Sequence, residues 1–405
     1  METKPSLSGG IRFAIVGCGY VADYYMRTLS HYSIARVVRA FDIDKSHASR
    51  FKDHWGVEAV DRMGDFLAGL DCDLVLNLTN PSAHFEVSRA CLRAGYSVYS
   101  EKPLAMTLVD IQTLAGIAET KRLSLACAPC NHLGEAAQAV KRALAQKRIG
   151  TPLVAYAEMD DKLIAKAPYR DWRSVSGAPW PFGDEFQVGC TLEHAGYYLT
   201  WLVFLFGPVE QVTAFASLQY PGKPVGNGVE GPDFSVAILR FKSGMAARLT
   251  CSILAPIDRT LRIYGDEGEL RAEDAWSYQT PVTYRRWMRF RRGFRLSPWI
   301  NKVPLGPTPV PRRRRSSIGM DYIRGPIEVV QAAREGRRSR VPMDFCIHIN
   351  EIALAICESA GRTGTFMIQS TCVPPAPLPS RHDNDNVPGF LDRTVPPILD
   401  RLFKR

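Results

Sequence analysis

The chain has 405 residues, and at about 150 residues per domain this length predicts two domains with separate hydrophobic cores. Hydrophobic residues make up 46% and charged residues 23% of the chain, which is ordinary for a folded, soluble protein and excludes disordered, collagen-like and coiled-coil chains. No apolar run reaches the ~18 residues of a membrane span, and none precedes the first predicted strand, so we expect a cytoplasmic protein.

The ten cysteines are scattered and lie mostly in apolar runs, which indicates reduced core thiols and not a disulfide framework. Cys127 and Cys130 form a C-x-x-C pair with His132 nearby. No second Cys/His pair follows at the spacing of a zinc finger, and one pair cannot complete a tetrahedral shell. The sequence therefore predicts no metal site.

The net charge of +10 has a local origin. Residues 277–320 contain ten Arg and one Lys with no Asp or Glu, which leaves 40 basic against 41 acidic residues elsewhere. The basic character therefore belongs to one insertion and not to the fold.

The first part of the chain alternates short β-branched runs with helical patterns, as parallel βαβ units do. The predicted strands are residues 11–17, 35–42, 72–79, 96–101 and 123–128, and the predicted helices are residues 21–30, 45–55, 83–94 and 108–121. We predict an α/β fold in which residues 11–149 form a Rossmann domain with a doubly wound parallel sheet. Residues 1–10 are an N-terminal extension.

After residue 150 the pattern changes to longer, alternating strands. They are predicted at residues 152–160, 209–218, 234–242, 245–254 and 259–266, with a hairpin turn at 242–244 and helices at 192–206, 320–335 and 344–360. A second, α+β domain over residues 150–371 follows, with an open, mostly antiparallel sheet covered by helices on one face. Residues 372–405 read as a Pro-rich linker and tail, with a short amphipathic helix at 391–403.

Residues 17–22 read G-C-G-Y-V-A, which fits the dinucleotide motif G-x-G-x-x-G/A directly after a strand and before a helix. The first glycine permits the tight turn, the second lets a pyrophosphate approach the backbone, and the small Ala22 permits close packing of helix on strand. The predicted cofactor contacts here are Gly17, Gly19, Tyr20 and Val21.

Asp42 ends the second predicted strand, 25 residues after Gly17, where a carboxylate can bind a ribose 2′-hydroxyl. Ile43 follows it, at a position where an arginine would neutralise a 2′-phosphate. The sequence therefore favours NAD(H) over NADP(H), with NADP(H) as the alternative because other loops could supply the cation.

Residues 78–105, LTNPSAHFEVSRACLRAGYSVYSEKPLA, carry a family resemblance. Their T-x-P-x-x-H segment, A-G helix end and E-K-P strand end resemble those of the Gfo/Idh/MocA oxidoreductases. The matching residues are Thr79, Pro81, His84, Ala94, Gly95, Glu101, Lys102 and Pro103. The similarity runs from residue 11 to about residue 364 and includes the G-D-E-G turn at 265–268, while the basic insertion and the tail lie outside it.

This resemblance implies reversible hydride transfer between a nicotinamide and a carbinol carbon of a sugar, inositol or related polyol, either free, glycoside-linked or nucleotide-linked. It also implies a homo-oligomer assembled through the C-terminal sheet. Lys102 would reach the nicotinamide ribose and the reacting hydroxyl, where a cation stabilises a developing alkoxide. The other implied cofactor contacts are Thr79, Asn80, Pro81, His84, Glu101 and Asn131.

The family's D-x-x-x-H-x-x-D helix motif aligns here with Glu193, Tyr197 and Thr200, so the histidine of the motif is a tyrosine. Glu193 and Tyr197 lie four residues apart and share a helix face. We predict Tyr197 as the proton shuttle, with Lys102 lowering its pKa, and we expect His194 to face elsewhere. The alternative is a non-catalytic dinucleotide-binding or regulatory protein that has lost the acid/base motif.

Three loops contain further candidate substrate contacts: residues 160–161, 170–173 and 180–182.

The basic insertion interleaves cations with aromatic residues, a pattern found in nucleic-acid grooves and membrane-surface segments. No nucleic-acid motif accompanies it, so nucleic acid is the least favoured partner. An anionic membrane surface or protein at residues 285–315, a diphosphate-bearing substrate, and a solvated, partly disordered loop remain open.

Overall fold

A computed structural model describes residues 10–226, 228–306, 319–362 and 364–379. The first domain contains β1 (Ile11–Val16), α1 (Tyr20–Leu29), β2 (Ala35–Phe41), α2 (Lys45–Trp55), β3 (Ala59–Val60), α3 (Met63–Leu67), β4 (Leu74–Asn77), α4 (His84–Arg93), β5 (Val98–Ser100), α5 (Leu108–Lys121), β6 (Leu125–Cys127) and α6 (Glu135–Ala145). The six strands are parallel in the order β3-β2-β1-β4-β5-β6. This order confirms the predicted doubly wound sheet.

The central strands of this sheet are buried on both faces. Phe13, Ile15 and Val16 of β1 are fully buried, and so are all four residues of β4. Helices cover both faces of such a sheet, so its strands read as continuous apolar runs. The sequence pattern missed β3, α3 and α6; β3, with two residues, is too short to show a period.

The second domain contains β7 (Pro152–Asp160), α7 (Phe182–Val188), α8 (Cys190–Phe206), β8 (Val209–Ser217), β9 (Phe234–Phe241), β10 (Ala246–Ser252), β11 (Leu261–Gly265), β12 (Gly268–Ala272), β13 (Val282–Phe290), β14 (Gly293–Leu296), β15 (Asn301–Lys302), α9 (Arg324–Glu335), α10 (Met343–Glu358) and β16 (Gly364–Met367). The sheet order is β14-β13-β12-β11-β7-β10-β9-β8-β16, with β15 against β13. The β7–β10 pair is parallel and the other neighbours are antiparallel, which confirms a mostly antiparallel sheet.

The helices of the second half divide between the two cores. The apolar residues of α8, among them the fully buried Trp201, pack with α10 on the inner face of the large sheet. Helix α9 packs elsewhere, because its Ile327, Val329 and Val330 join the core of the first domain. Helix α9 therefore completes the Rossmann domain, although it follows the strands of the second domain in the chain. No described helix is both long and apolar enough to cross a membrane.

The basic insertion differs from the solvated loop that its composition suggested. Between residues 282 and 302 it forms β13, β14 and β15 and extends the sheet. Two of its arginines are neutralised by β12 and the turn before it, since Arg285 pairs with Glu269 at 2.7 Å and Arg286 with Glu267 at 2.8 Å. The arginine run at 312–315 and the predicted helix at 391–403 lie outside the described residues.

Candidate active site

A cleft of about 1010 Å³ opens between the two domains. Its floor is formed by the loops that follow β1, β2, β4 and β5, and α7 and α8 contribute the opposite wall. The cleft lies outside the carboxyl ends of the parallel strands, at the point between β1 and β4 where the strand order reverses. Doubly wound folds bind their ligands at this point.

The two glycines of the dinucleotide motif have different surroundings. Gly17 has φ +96°, and a Cβ atom there would lie 2.6 Å from the carbonyl of Leu78, so the tight turn requires glycine. A Cβ atom on Gly19, which lines the cleft, would have no described atom within 4 Å. Gly19 also precedes α1, whose first turn carries no side-chain cap among the described residues. The free N–H groups and the open space fit a pyrophosphate.

Asp42 is fixed at the end of β2. Its carboxylate oxygens accept hydrogen bonds from the backbone N–H groups of Cys18 at 2.8 Å and Asp44 at 2.9 Å. A carboxylate has about four acceptor sites, so it can still receive the hydroxyls of a ribose. Ile43, next to it, lines the cleft and is 86% exposed. The residues present therefore fit the adenosine half of a nicotinamide dinucleotide.

His84 connects the loop after β4 with the loop after β5, which contains Lys102. The buried ring places Nδ1 2.6 Å from the carbonyl oxygen of Pro103 and Nε2 2.9 Å from that of Thr79. Burial lowers the pKa of the imidazole. Because both ring nitrogens face backbone carbonyls, the geometry suits a residue that positions these loops better than one that contacts a cofactor directly.

Hydrogen bonds tie the segment between β7 and α8 to the first domain. Asn80 donates to Asp184 at 2.8 Å, and the backbone N–H of Ser176 donates to Asp23 at 2.9 Å. The segment between β7 and α8 is thus held against the nucleotide-binding loops. Asn80, a predicted cofactor contact, here forms part of this bridge.

A buried lysine and carboxylate cluster lies at the centre of the cleft. Lys102 Nζ forms a short ion pair with Glu193 Oε2, and Glu185 from α7 hydrogen-bonds to Glu193. Burial alone would lower the pKa of Lys102, but Glu193 and Glu185 raise it well above its usual value. Burial and the charge of Glu193 raise the pKa of Glu185. The pKa of Glu193 is shifted in the opposite direction by Lys102, so of the two carboxyl groups Glu185 holds a proton more readily.

Tyr197 lines the same cleft, and its ring meets Trp276 edge-on at 5.6 Å. The predicted lowering of its pKa is wrong. Burial raises the pKa, Lys102 lowers it, and Glu101, Glu193 and Glu185 raise it again, so the net shift is upward. The main cause is burial, and the carboxylates around Lys102 offset the charge that we expected to lower the pKa of Tyr197.

His194 also lines the cleft, although we expected it to face elsewhere. The cleft surrounds the N-terminal end of α8, so residues on different faces of its first turns reach it. Nδ1 of His194 is buried and has no partner among the described residues. Burial lowers the pKa of His194 to about 4, so the ring is neutral at pH 7.

The remaining predicted contacts divide into two groups. Asn131 is not among the described residues that line the cleft; its buried amide donates to the carbonyl of Ala275 at 2.7 Å. Of the candidate loops, the residues that line the cleft are Asp161, Trp172, Trp180 and Pro181. The lining residues that the sequence analysis missed include Tyr24, Asp184, Glu185, Arg259, Trp276 and Tyr322.

Arg259 shows why such residues were missed. Its guanidinium lies 3.0 Å from Asp161 and 3.8 Å from the ring centroid of Trp276. Arg259 and these two partners come from three separate segments of the chain, and no spacing rule connects them. The only sequence signal was its position at the start of a predicted strand.

A doubly wound sheet, a glycine turn at a helix N-terminus and a buried lysine facing a second domain define a two-domain, dinucleotide-dependent enzyme. The family model described as "Oxidoreductase family, NAD-binding Rossmann fold" matches residues 11–128, and the "GFO/IDH/MocA C-terminal domain" matches residues 137–271. The chain belongs to the Gfo/Idh/MocA oxidoreductase family, which confirms the resemblance found in its motifs.

The individual relatives described next share between 18% and 25% sequence identity with this chain. The D-apiose dehydrogenase of Paraburkholderia graminis is 25% identical over 267 residues, 64% of this chain and 66% of that protein. The myo-inositol 2-dehydrogenase of Thermotoga maritima is 24% identical over 270 residues, 65% of this chain and 75% of that protein. The WlbA dehydrogenase of Bordetella pertussis, solved with NADH and UDP-GlcNAcA, has a TM-score of 0.68 at 18% identity and covers 93% of this chain and 100% of its own.

Proposed function

We propose that this oxidoreductase transfers a hydride between a nicotinamide cofactor and a carbinol or carbonyl carbon of a sugar, inositol or related polyol. The observation that carries the proposal is the placement of Lys102. Its ammonium group lies in the cleft between the loops that fit the dinucleotide and the Glu193 carboxylate of the second domain. The names of the apiose and inositol dehydrogenases support the substrate class.

When bound, the nicotinamide dinucleotide donates or accepts the hydride. Lys102 stabilises the negative charge that develops on the substrate oxygen during hydride transfer, and a preorganised charge of this kind is usually a large catalytic effect. Glu193 orients the ammonium through its ion pair. Because the pKa of Lys102 is raised, it keeps its charge at neutral pH.

We assign the proton transfer to Tyr197. Its raised pKa keeps the phenol protonated at neutral pH, so the proton-donating form is the one present, although it is a weaker acid than a free phenol. A proton donor at this position suits the reduction of a carbonyl group. In the oxidation direction the phenolic oxygen receives the alcohol proton as it gives up its own, and the acceptor for that proton is the Glu193 carboxylate, one turn earlier on the same helix face.

The aromatic side chains of the second domain suit a ring-shaped polyol. Trp172, Trp180 and Trp276 line the cleft beyond Lys102. Apolar C–H faces of a sugar can pack on such rings, while its hydroxyls meet Asp161 and the neutral His194. The substrate is therefore expected to be a sugar or cyclic polyol and not a long apolar alcohol.

A spectrophotometric screen tests the function. The purified full chain is incubated with NAD⁺ or NADP⁺ and a panel of pentoses, hexoses, inositols and nucleotide sugars, and with NADH or NADPH and the matching ketones. We expect a change in the absorbance of the reduced nicotinamide with at least one sugar or polyol, absent in a Lys102→Met control. Tight cofactor binding without turnover of any compound would support the non-catalytic alternative.

We also propose that the chain prefers NAD(H). The residue after Asp42 is the exposed Ile43, which has no charge with which to bind the 2′-phosphate of NADP(H). Ile43→Arg is expected to raise the ratio of NADPH to NADH affinity by about ten-fold or more, since a charge-assisted hydrogen bond to the 2′-phosphate contributes roughly 1.5–3 kcal/mol. Fluorescence titration with both cofactors measures this ratio. Ile43→Gln, which lengthens the side chain without charge, is the control; an equal change in both variants would show that charge is not the cause.

The outer face of the large sheet fits a homo-oligomer contact, as the family resemblance implied. Phe215 of β8 and Ile238 of the neighbouring β9 are 47% and 48% exposed on this face. Exposed apolar and aromatic residues on one sheet face mark an association surface. Sedimentation as a monomer at micromolar concentration would contradict this proposal.

We also propose that the protein is cytoplasmic, because its ten free cysteines stay reduced in that compartment. Cell fractionation tests the location.

A further inference from the structure

The hairpin of β13 and β14 extends beyond the body of the sheet. Strand β12 pairs with residues 282–286 of β13, whereas residues 287–290 pair with β14 at residues 293–296. No further strand among the described residues pairs with β14. We call residues 287–300 the basic hairpin. A two-stranded hairpin is at best marginally stable in water, so a binding partner would stabilise it.

The charge of the basic hairpin is not neutralised within the described part of the chain. Its four arginines are exposed, and no described carboxylate lies within salt-bridge distance of them: Arg289, Arg291, Arg292 and Arg295. At the base of the same strand, Arg285 and Arg286 do have carboxylate partners. The distal part of the hairpin therefore presents a concentrated positive charge to solvent.

Apolar side chains lie among these cations. Phe294 is 73% exposed, Trp299 is 40% exposed and Ile300 is 62% exposed. The guanidinium groups of Arg291 and Arg295 lie 5.6 and 4.6 Å from the ring centroid of Phe290. Exposing three large apolar groups in one short segment is costly in water, and together with the cations they match an anionic surface that has an apolar interior.

We propose that the basic hairpin docks on the surface of an anionic phospholipid bilayer. The arginines meet the headgroup phosphates, and Phe294, Trp299 and Ile300 enter the boundary between headgroups and acyl chains, where aromatic residues are favoured. A second copy of the chain fits less well, because a two-fold contact between hairpins would bring like charges together. Nucleic acid fits the arginines and aromatic rings but gives no role to the aliphatic Ile300.

Vesicle co-sedimentation of the full chain tests the proposal. We expect binding to vesicles of phosphatidylglycerol and phosphatidylcholine, weaker binding at high salt, and little binding to phosphatidylcholine alone. Arg289→Ser/Arg292→Ser should lower the affinity for the anionic vesicles by on the order of 20-fold, because each basic residue near such a surface contributes about a five-fold factor. Phe294→Ser, which keeps every arginine, should lower it by about ten-fold.

The matched control is Arg36→Ser/Arg93→Ser, which removes the same charge from two exposed positions of the first domain. This control should bind the anionic vesicles as the parent does, and all variants should retain parental turnover, since the hairpin lies outside the cleft. Absence of vesicle binding by the parent, or equal losses in the control, would overturn the proposal. Binding of the parent to duplex DNA or RNA in preference to vesicles, or a hairpin-dependent oligomer without vesicle binding, would overturn it in favour of those partners.

Discussion

Lys102→Met is expected to lower kcat by about 10²–10³-fold, because it removes the preorganised charge that stabilises the developing alkoxide. Affinity for NADH should change by less than about three-fold, since the charge matters most in the transition state. Steady-state kinetics with a substrate identified in the screen gives kcat, and fluorescence titration gives the dissociation constant of NADH. Methionine keeps the length of the side chain and so limits structural change.

The variant also tests the carboxylate cluster. Burial raises the pKa of Glu193, and Lys102 lowers it to give a net downward shift in the parent. Without the ammonium group the pKa of Glu193 should rise, so the residual activity should depend on pH in a range where the parent's does not. Lys121→Met, the same change at an exposed position at the end of α5, is the control. Near-parental turnover of Lys102→Met would remove this lysine from the mechanism.

The nucleotide-binding half of the molecule was predictable because its requirements are local. A tight turn needs a residue such as Gly17 at positive φ. The apolar run of β2 shows where this strand ends, and Asp42 is the next residue. The right-handedness of βαβ units then fixes the face of the sheet on which each connecting helix lies. Each of these features appears within about thirty consecutive residues.

The substrate half of the cleft depends on contacts between distant segments. Helical spacing predicted that Glu193 and Tyr197 share a face, and both line the cleft. It could not predict the upward shift of the pKa of Tyr197, because that shift depends on burial and on Glu185, which arrives from a separate helix. Asn131 follows a strand end as expected. Its amide, however, donates a hydrogen bond to the carbonyl oxygen of Ala275.

The basic insertion shows how composition can hide a strand. Val282 and Tyr284 are buried while Thr283 and Arg285 alternate with them on the other face, so a two-residue period was present in the sequence. The number of arginines suggested a solvated loop. A strand near the edge of a sheet tolerates arginine where the neighbouring strand supplies a carboxylate, as Glu269 of β12 does here.

Tyr197→Phe is expected to lower kcat by about 10²–10⁴-fold, the usual range for loss of a group that transfers a proton. The change removes one hydroxyl and keeps the ring that packs against Trp276, so the fold and NADH binding should survive. Tyr198→Phe is the matched control, because its hydroxyl donates to the carbonyl of Arg259 at 2.5 Å and the residue is not among the described cleft-lining residues. That control should lose about 1 kcal/mol of stability and little turnover. Kinetics in both directions and thermal unfolding measure the difference.

The pH profile distinguishes Tyr197 from its neighbour His194. Since the net pKa of Tyr197 is raised, the phenol remains protonated through neutral pH, and the rate of carbonyl reduction should fall only in the alkaline range. A transferring imidazole would instead produce a fall as pH rises through the pKa of His194, about 4, because it donates only when protonated. His194→Gln should therefore retain most activity near pH 7. If His194→Gln is inactive while Tyr197→Phe turns over normally, the imidazole transfers the proton and the helix motif has been aligned wrongly.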